Sequence, residues 1–306
     1  MSPEVLRAIV RRHRLRVDAI ESPAPTGIIN AIYYLGDNYV LRVPRNHPAH
    51  VEQAQREARA IPAARAAGVQ TPQIIVFDDS LDLLPVPYLI TERIHGKALG
   101  HLDRDPAIAA DAWREVGRNL AWLHRGVTEG GPAGDLASLS GPGGEYPRDL
   151  AAERARDGWF SSIEATWLIN WLDRLAPLAA PPSRKRFIHG DVQATNVMVD
   201  PTNRRFLALI DWGCAGWDDP AQDFKGMPFR AVPVILKGYR EVGPIDDDER
   251  AEARILWATL WLILRFLPRG AAPGLAWGEQ PTAMLMELFR FFLSRPGPPW
   301  DELAPP

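Results

Sequence analysis

The chain contains one cysteine, Cys214, in 306 residues. No internal disulfide can form, which fits a reducing compartment. Long apolar runs are also lacking. The longest, at residues 255–264, is about half of the ~20 residues a bilayer-spanning helix needs, so a buried helix is expected there. No secretory apolar stretch opens the chain, because Arg11, Arg12, Arg14 and Arg16 interrupt it. Charge of one sign is not in excess: the formal net charge is -3, which argues against general affinity for nucleic acid or an anionic membrane. There is no internal repeat, low-complexity tract or heptad pattern. With 46% hydrophobic and 24% charged residues, the expectation is a soluble, cytoplasmic globular protein of one large or two modest domains.

Ser2-Pro3-Glu4 starts a helix well, with a cap, a proline in the first turn and an acid at the positive end of the dipole. Residues 28–44 alternate like two strands around the turn Gly36-Asp37-Asn38. A long helix is expected from about 48 to 67, ended by Gly68 and kinked or split at Pro62. Residues 73–77 and 87–93 read as further strands. Beyond Gly96 the pattern turns helical, with Ile108, Ala112, Trp113, Val116, Leu120 and Leu123 on one face. Residues 126–147, rich in Gly, Pro and Ser, read as a connector or a lid. Helices are expected at 158–177, near 220, and at 230–240, 248–267 and 281–294. The fold class is therefore α+β and bilobal. A small antiparallel sheet with one main helix (1–93) would precede a larger, mostly helical lobe (94–306).

The run Phe187-Ile-His-Gly-Asp191-Val-Gln-Ala-Thr-Asn196 carries the chemistry, followed by Ile210-Asp211-Trp-Gly213. Asn196 lies five residues after Asp191, and Asp211 fifteen beyond that. This spacing suits phosphoryl transfer, which needs positioning and charge neutralisation more than covalent chemistry. A hairpin at 197–210 would bring Asn196 and Asp211 together as oxygen ligands of Mg²⁺, which commonly takes one or two protein groups plus phosphates and water. Asp191 would align the attacking hydroxyl. His189 reads as a packed scaffold residue. Any one of these acids alone would be an ordinary turn residue; the whole pattern is not. Cys214 has no evident base and reads as a small packed residue. Trp113, Trp122, Trp257 and Trp261 read as core, while Trp159, Trp217 and Trp277 are candidates for an apolar substrate pocket.

In His189-Gly190-Asp191, Asn196, Ile210-Asp211-Trp212 and Asp219-Pro220-Ala221-Gln222-Asp223, the chain resembles the aminoglycoside phosphotransferase family, small-molecule kinases with a protein-kinase-like fold. Leu120-Ala-Trp-Leu-His124 matches a helix signature of that family. The resemblance implies Asp191 as the catalytic acid, Asn196 and Asp211 as metal ligands, and Asp219 and Asp223 as structural. On the nucleotide side, Arg42 in Tyr39-Val-Leu-Arg42-Val stands where such a lobe carries its phosphate cation. Glu57 is its expected partner and Glu52 the alternative. Backbone amides at Thr26 and Gly27 would approach phosphate, and backbone groups of Glu92 and Ile94 would read the base, ATP or GTP. The implied activity is transfer of a nucleotide γ-phosphate to a hydroxyl of a small molecule. Aminoglycoside, macrolide and metabolite acceptors (an amino alcohol or a sugar) remain open, as does a catalytically silent nucleotide-binding module. A protein kinase is disfavoured because no Ala-Pro-Glu follows Asp211-Trp-Gly.

Overall fold

The computed structural model describes residues 1–22, 29–103, 105–139, 146–270, 276 and 280–306. Helix α1 (Pro3–Arg12) starts as its sequence dictates: Ser2 accepts the Val5 N–H, and Leu6 and Ile9 are buried. Strands β1 (Ile20–Glu21), β2 (Asn30–Leu35), β3 (Tyr39–Pro44), β4 (Ile74–Asp78) and β5 (Tyr88–Glu92) form an antiparallel sheet in the order β1-β2-β3-β5-β4. Leu35, Leu41, Val43, Tyr88 and Ile90 make its core with Leu6 and Ile9 of α1.

Helix α2 (Pro48–Ala66) crosses beside this sheet and runs without interruption through Pro62. The ring removes one helical donor, but the packing on both sides of it holds. Ala60, Ile61 and Ala64 belong to the hydrophobic core of the helical part, whereas Glu57, one turn earlier, turns toward β3. One helix therefore serves both lobes.

The remainder comprises β6 (Lys97–Ala98), α3 (Leu99–Leu102), α4 (Ala110–Gly126), α5 (Pro147–Arg156), α6 (Ser162–Leu175), β7 (Arg186–Ile188), β8 (Val197–Val199), β9 (Phe206–Leu209), β10 (Gly216–Asp218), α7 (Val232–Val242), α8 (Ala251–Phe266), α9 (Pro281–Leu293) and α10 (Trp300–Leu303). This is the mixed, protein-kinase-like architecture expected from the sequence, a small sheet followed by a helical bulk. Helices α4 and α7 cross closely because Gly117 faces the Ile235 carbonyl and Gly238 the Arg114 carbonyl, positions where a Cβ would collide with backbone. No helix among the described residues is long and apolar enough to cross a membrane.

Two expectations need correction. Ile108 is not on the buried face of α4. It is 71% exposed, in a 3-10 turn opened by Pro106; the Pro106 carbonyl instead accepts the Trp113 Nε1–H at 2.7 Å. Helix α5 was not expected. It buries only Pro147, Leu150, Ala151 and Arg154, too few apolar positions to mark a period. Its successor α6 starts at Ser162, where Ser161 and Glu164 form a capping box.

Candidate active site

Strands β8 and β9 pair Val197 with Leu209 and Met198 with Ala208. The ladder continues one step further through Ile210 N–H to the Asn196 carbonyl at 3.0 Å. That bond sets the residue after Ile210 beside Asn196. Asp211 itself has φ +70, in the left-handed region that Asp tolerates better than most residues. Its carboxylate is 40% exposed and accepts from Arg42 Nη2 at 3.1 Å.

Asn196 donates its Nδ2–H to the Asp191 carbonyl at 2.8 Å and to Asp191 Oδ2 at 3.2 Å. With the amide nitrogen so engaged, Asn196 Oδ1 is the atom left to meet a cation. Burial, with the nearby Asp211 charge, pushes the Asp191 carboxyl above its ordinary value, against the opposing pull of His189 and Lys225. Gln193 Nε2 stands 3.4 Å from both Asp191 oxygens. Sequence reasoning missed Gln193; its only signal was its place two residues after the acid.

The loop carrying Asp191 is held from beneath. Gly190 has φ +83, which glycine adopts at little cost. Asp223, fully buried, accepts the His189 N–H at 2.9 Å and the Gly190 N–H at 2.6 Å. It also takes His124 Nε2 at 2.9 Å, while His124 Nδ1 meets the Tyr239 hydroxyl at 3.1 Å. The His189 ring bonds the Ile210 carbonyl through Nε2 at 3.1 Å and lies 4.4 Å from the Trp212 ring. Asp219 caps the turn at 220–224 through the Ala221 N–H at 2.9 Å and pairs with Arg254 at 3.1 Å.

On β3, Arg42 donates to Glu57 of α2 as well as to Asp211. Glu57 Oε1 also accepts the Trp212 N–H at 3.3 Å. The pair is buried: the side chains of Arg42 and Glu57 are 14% and 3% exposed. Burial pushes Glu57 up from its ordinary value against the pull of Arg42. Glu52, the alternative partner, bonds Arg56 at 3.0 Å. Arg56, unforeseen from the sequence, reaches the Ala137 carbonyl and, at 2.9 Å, the Ala215 carbonyl. It thus ties α2 to the segment after Asp211.

A cavity of about 740 Å³ lies between the sheet and the β8–β9 hairpin. Ile32 and Val40 line it from the sheet and Met198 and Ile210 from the hairpin, with Arg42, Glu57 and Asp211 also in its wall. The linker residues Glu92 and Ile94 line it as well, but not equally free to bind. The Glu92 N–H already bonds the Gln73 carbonyl at 2.8 Å, and the Ile94 carbonyl accepts the Gly96 N–H at 3.0 Å. The expectation for Glu92 is thereby narrowed to its carbonyl. Thr26 and Gly27 lie outside the described residues.

Cys214 is half-buried, its thiol pushed up to about 12 by burial and by the Asp191 and Asp211 charges, so it makes no thiolate nucleophile near neutral pH. Trp113 is fully buried, Trp261 is 8% exposed, and Trp122 and Trp257 pack half-buried against the core. Trp159 is 44% exposed. Trp217 stacks edge-on to Phe187 and bonds the Ala133 carbonyl at 3.0 Å. Trp277 lies outside the described residues.

This architecture is similar to that of solved phosphotransferases. The GDP complex of wild-type aminoglycoside 2'-phosphotransferase-IIIa superposes with a TM-score of 0.62 over 96% of this chain and 98% of that one, at 14% identity. Macrolide 2'-phosphotransferase MphH from Brachybacterium faecium gives 0.59 over 92% and 96%, at 20% identity. The ternary complex of APH(2'')-IIa with streptomycin and ATP gives 0.57 over 96% of each chain, at 14% identity. By sequence, acyl-CoA dehydrogenase family member 11 of Rattus norvegicus is 22% identical over 223 residues, 65% of this chain but only 27% of that longer protein. The chain thus spans about a quarter of such relatives. Its own residues 21–272, from the first sheet strand past the Asp191 loop and α8, match the sequence profile of the phosphotransferase enzyme family, and the chain belongs to that family.

Proposed function

We propose that the protein is a small-molecule kinase that transfers the γ-phosphate of ATP or GTP to a substrate hydroxyl. One observation carries the reading. Arg42, Glu57 and Asp211 line one cavity large enough for a nucleotide, and Asn196, bonded to Asp191, adjoins the hairpin end that carries Asp211. Arg42 itself lines that cavity, a cation suited to a nucleotide phosphate. The linker at 92–96 would take the base, with the Glu92 carbonyl and the Ile94 N–H facing its edge. The complexes of related folds that hold GDP or ATP support the same reading.

The donor set fits Mg²⁺. Among the described residues no group of three or more His, Cys, Asp or Glu is gathered for a metal. A sparse pair of oxygens suits an ion that keeps phosphates and water as its other ligands. Asn196 Oδ1 and the part-exposed Asp211 carboxylate would hold it, and when bound it would neutralise phosphate charge. Asp191 would accept the acceptor's hydroxyl proton. The acceptor oxygen bonds to the γ-phosphorus as the bond to the bridging oxygen breaks, and the nucleoside diphosphate leaves. The boundary near 93–94 would separate the nucleotide-binding lobe from the acceptor-binding one. Reliance on a nucleotide and the single cysteine favour a cytoplasmic setting.

Melting curves with Mg-ATP and Mg-GTP, paired with a nucleoside-diphosphate release assay over candidate alcohols, test this. A raised melting point with acceptor-dependent release is expected, and release should be lost in Asp191→Asn. A shift in melting point without release from any alcohol would instead identify a silent nucleotide-binding module.

A further inference from the structure

Between Asp191 and Asn196 one polar side chain has no role in the chemistry assigned above. Gln193 opens the 3-10 turn Ala194–Asn196 in extended backbone, and its carbonyl accepts the Asn196 N–H at 2.8 Å. Its side chain turns back on the acid. Nε2 lies 3.4 Å from Asp191 Oδ1 and 3.4 Å from Asp191 Oδ2, so the amide sits astride the carboxylate. An ionised carboxylate only accepts, which orients the amide with its NH₂ toward Asp191. The stem is confined as well. A Cβ at Gly226 would stand 3.6 Å from Gln193 Cβ and 2.8 Å from the Val192 carbonyl oxygen, so the chain after Phe224 passes close by.

Asn196 reaches one oxygen of the carboxylate, Oδ2, at 3.2 Å. One such bond leaves the carboxylate free to turn about its Cβ–Cγ bond. A second donor at equal distance from both oxygens opposes that turn. Oδ1, whose one donor among the described residues is Gln193, is then the oxygen with room for a hydroxyl. The contacts are longer than the usual range of about 2.7–3.2 Å, too long to add much stability. Hydrogen bonds at a catalytic acid are often long in the empty site and tighten in the reacting complex. We propose that Gln193 is a positioning residue, whose amide fixes the plane of the Asp191 carboxylate so that Oδ1 meets the hydroxyl to be phosphorylated. This rests on the kinase reading and deepens it. The transfer step is unchanged, with Asp191 taking the hydroxyl proton. A turn glutamine that merely borrows the nearest acceptor would have no kinetic effect.

Three variants separate these cases. Gln193→Met keeps the length of the side chain and removes the donor. Gln193→Lys keeps an N–H donor on a stem of similar reach. Gln193→Glu keeps the shape and sets a second carboxylate against Asp191. Nucleoside-diphosphate release from Mg-ATP is followed with kanamycin, erythromycin, choline or glucose as acceptor, and with water as acceptor where none of these raises it. Gln193→Met is expected to lower kcat about tenfold or more. KM for the acceptor and the calorimetric Kd for Mg-ATP should stay within about threefold, because neither Gln193 nor Asp191 lines the cavity proposed to take the nucleotide. The urea midpoint should not move. Gln193→Lys should keep most of the wild-type kcat, and Gln193→Glu should fall at least as far as Gln193→Met; these two carry the comparison if Gln193→Met fails to fold. A wild-type kcat in Gln193→Met, an equal loss in the lysine and glutamate variants, or a kcat that falls only in step with the urea midpoint would overturn the positioning role. Wild-type protein that releases no diphosphate, or whose release survives Asp191→Asn, would instead bring down the kinase reading, and the role of Gln193 with it.

Discussion

Replacing Asp223 by asparagine changes one buried oxygen into an NH₂ without changing shape. In the wild-type protein Asp223 Oδ2 accepts the His189 N–H and His124 Nε2, and Oδ1 accepts the Gly190 N–H. Burial alone would push this carboxyl up, but the hydrogen bond and charge of His124, with the Gly190 N–H, hold it below its ordinary value. Whichever way an asparagine amide turns, at least one of these donors meets an NH₂. Losing one hydrogen bond to a charged group removes about 1.5–3 kcal/mol, and a stranded buried N–H adds about 1–3 kcal/mol. The expected destabilisation is therefore about 2.5–6 kcal/mol, a large part of the total stability of about 5–15 kcal/mol typical of folded proteins. It should be read as a lower urea midpoint at unchanged slope. The displaced backbone is that of His189 and Gly190, directly before Asp191. A shift of about 1 Å there should lower kcat roughly 100-fold, measured below the variant's melting temperature. Affinity for Mg-ATP should stay within about threefold, because none of these residues lines the cavity proposed to take the nucleotide. A wild-type urea midpoint would refute the energetic argument. A lowered midpoint with unchanged kcat would refute the claim that Asp223 acts through the Asp191 loop.

Asp191→Asn removes a half-buried carboxylate whose charged form burial and the Asp211 charge disfavour. Its stability should equal or slightly exceed that of wild type, while transfer falls by about 10²–10⁴; turnover near wild type in a release assay would reject the assigned role. Glu57→Gln leaves Arg42 with Asp211 as its one charged partner among the described residues. The expected cost is about 3 kcal/mol, as for other broken buried pairs, with Mg-ATP affinity weakened about tenfold; a calorimetric Kd equal to wild type would count against the role of the pair. Asp78 anchors α1 to the sheet, meeting Arg12 at 3.0 Å and the Tyr88 hydroxyl at 2.7 Å. Burial opposes its charge, but hydrogen bonds from Ser80 and Tyr88 win and lower its pKa to about 2. A depressed carboxyl contributes stability above its unfolded pKa and loses it as pH falls through the folded one. Asp78→Asn should therefore cost about 2 kcal/mol at pH 7, and its urea midpoint should converge on that of wild type between about pH 4 and pH 2. A gap that does not narrow with acid would contradict this.

How much of the site was legible followed from where its partners lie in the chain. The Asp191–Asp211 run could be read directly, because one short hairpin converts sequence spacing into proximity. The Arg42–Glu57 contact was legible at one remove, through the resemblance to a kinase lobe that pairs a strand cation with a helix acid, with Glu52 as the alternative. Arg56 was not legible. Its acceptors are backbone carbonyls of Ala137 and Ala215, 81 and 159 residues away, and a carbonyl has no identity in a sequence. Trp261 read as a core aromatic, and only folding sets it 5.2 Å from the Lys225 ammonium. Ile108 failed for a local reason, since a helical period was carried back across Pro106, where the backbone turns instead.

Arg56 also bears on how the site is maintained. A charge pair between a strand and a helix can be made or broken by swinging the helix, and in protein kinases its formation is a point of control. Here α2 is fixed on several sides. Glu57 takes the Trp212 N–H, Arg56 grips the Ala137 and Ala215 carbonyls, and Ala60, Ile61 and Ala64 are embedded in the larger core. Withdrawing Glu57 from Arg42 would strip the buried Trp212 N–H and Ala215 carbonyl of partners, release the Ala137 carbonyl and open apolar surface in the same motion. Each stranded group costs about 1–3 kcal/mol, so the displaced state lies several kcal/mol above the paired one. The Arg42–Glu57 contact is accordingly part of the resting protein, and the cavity wall it forms is already assembled by the packing of α2.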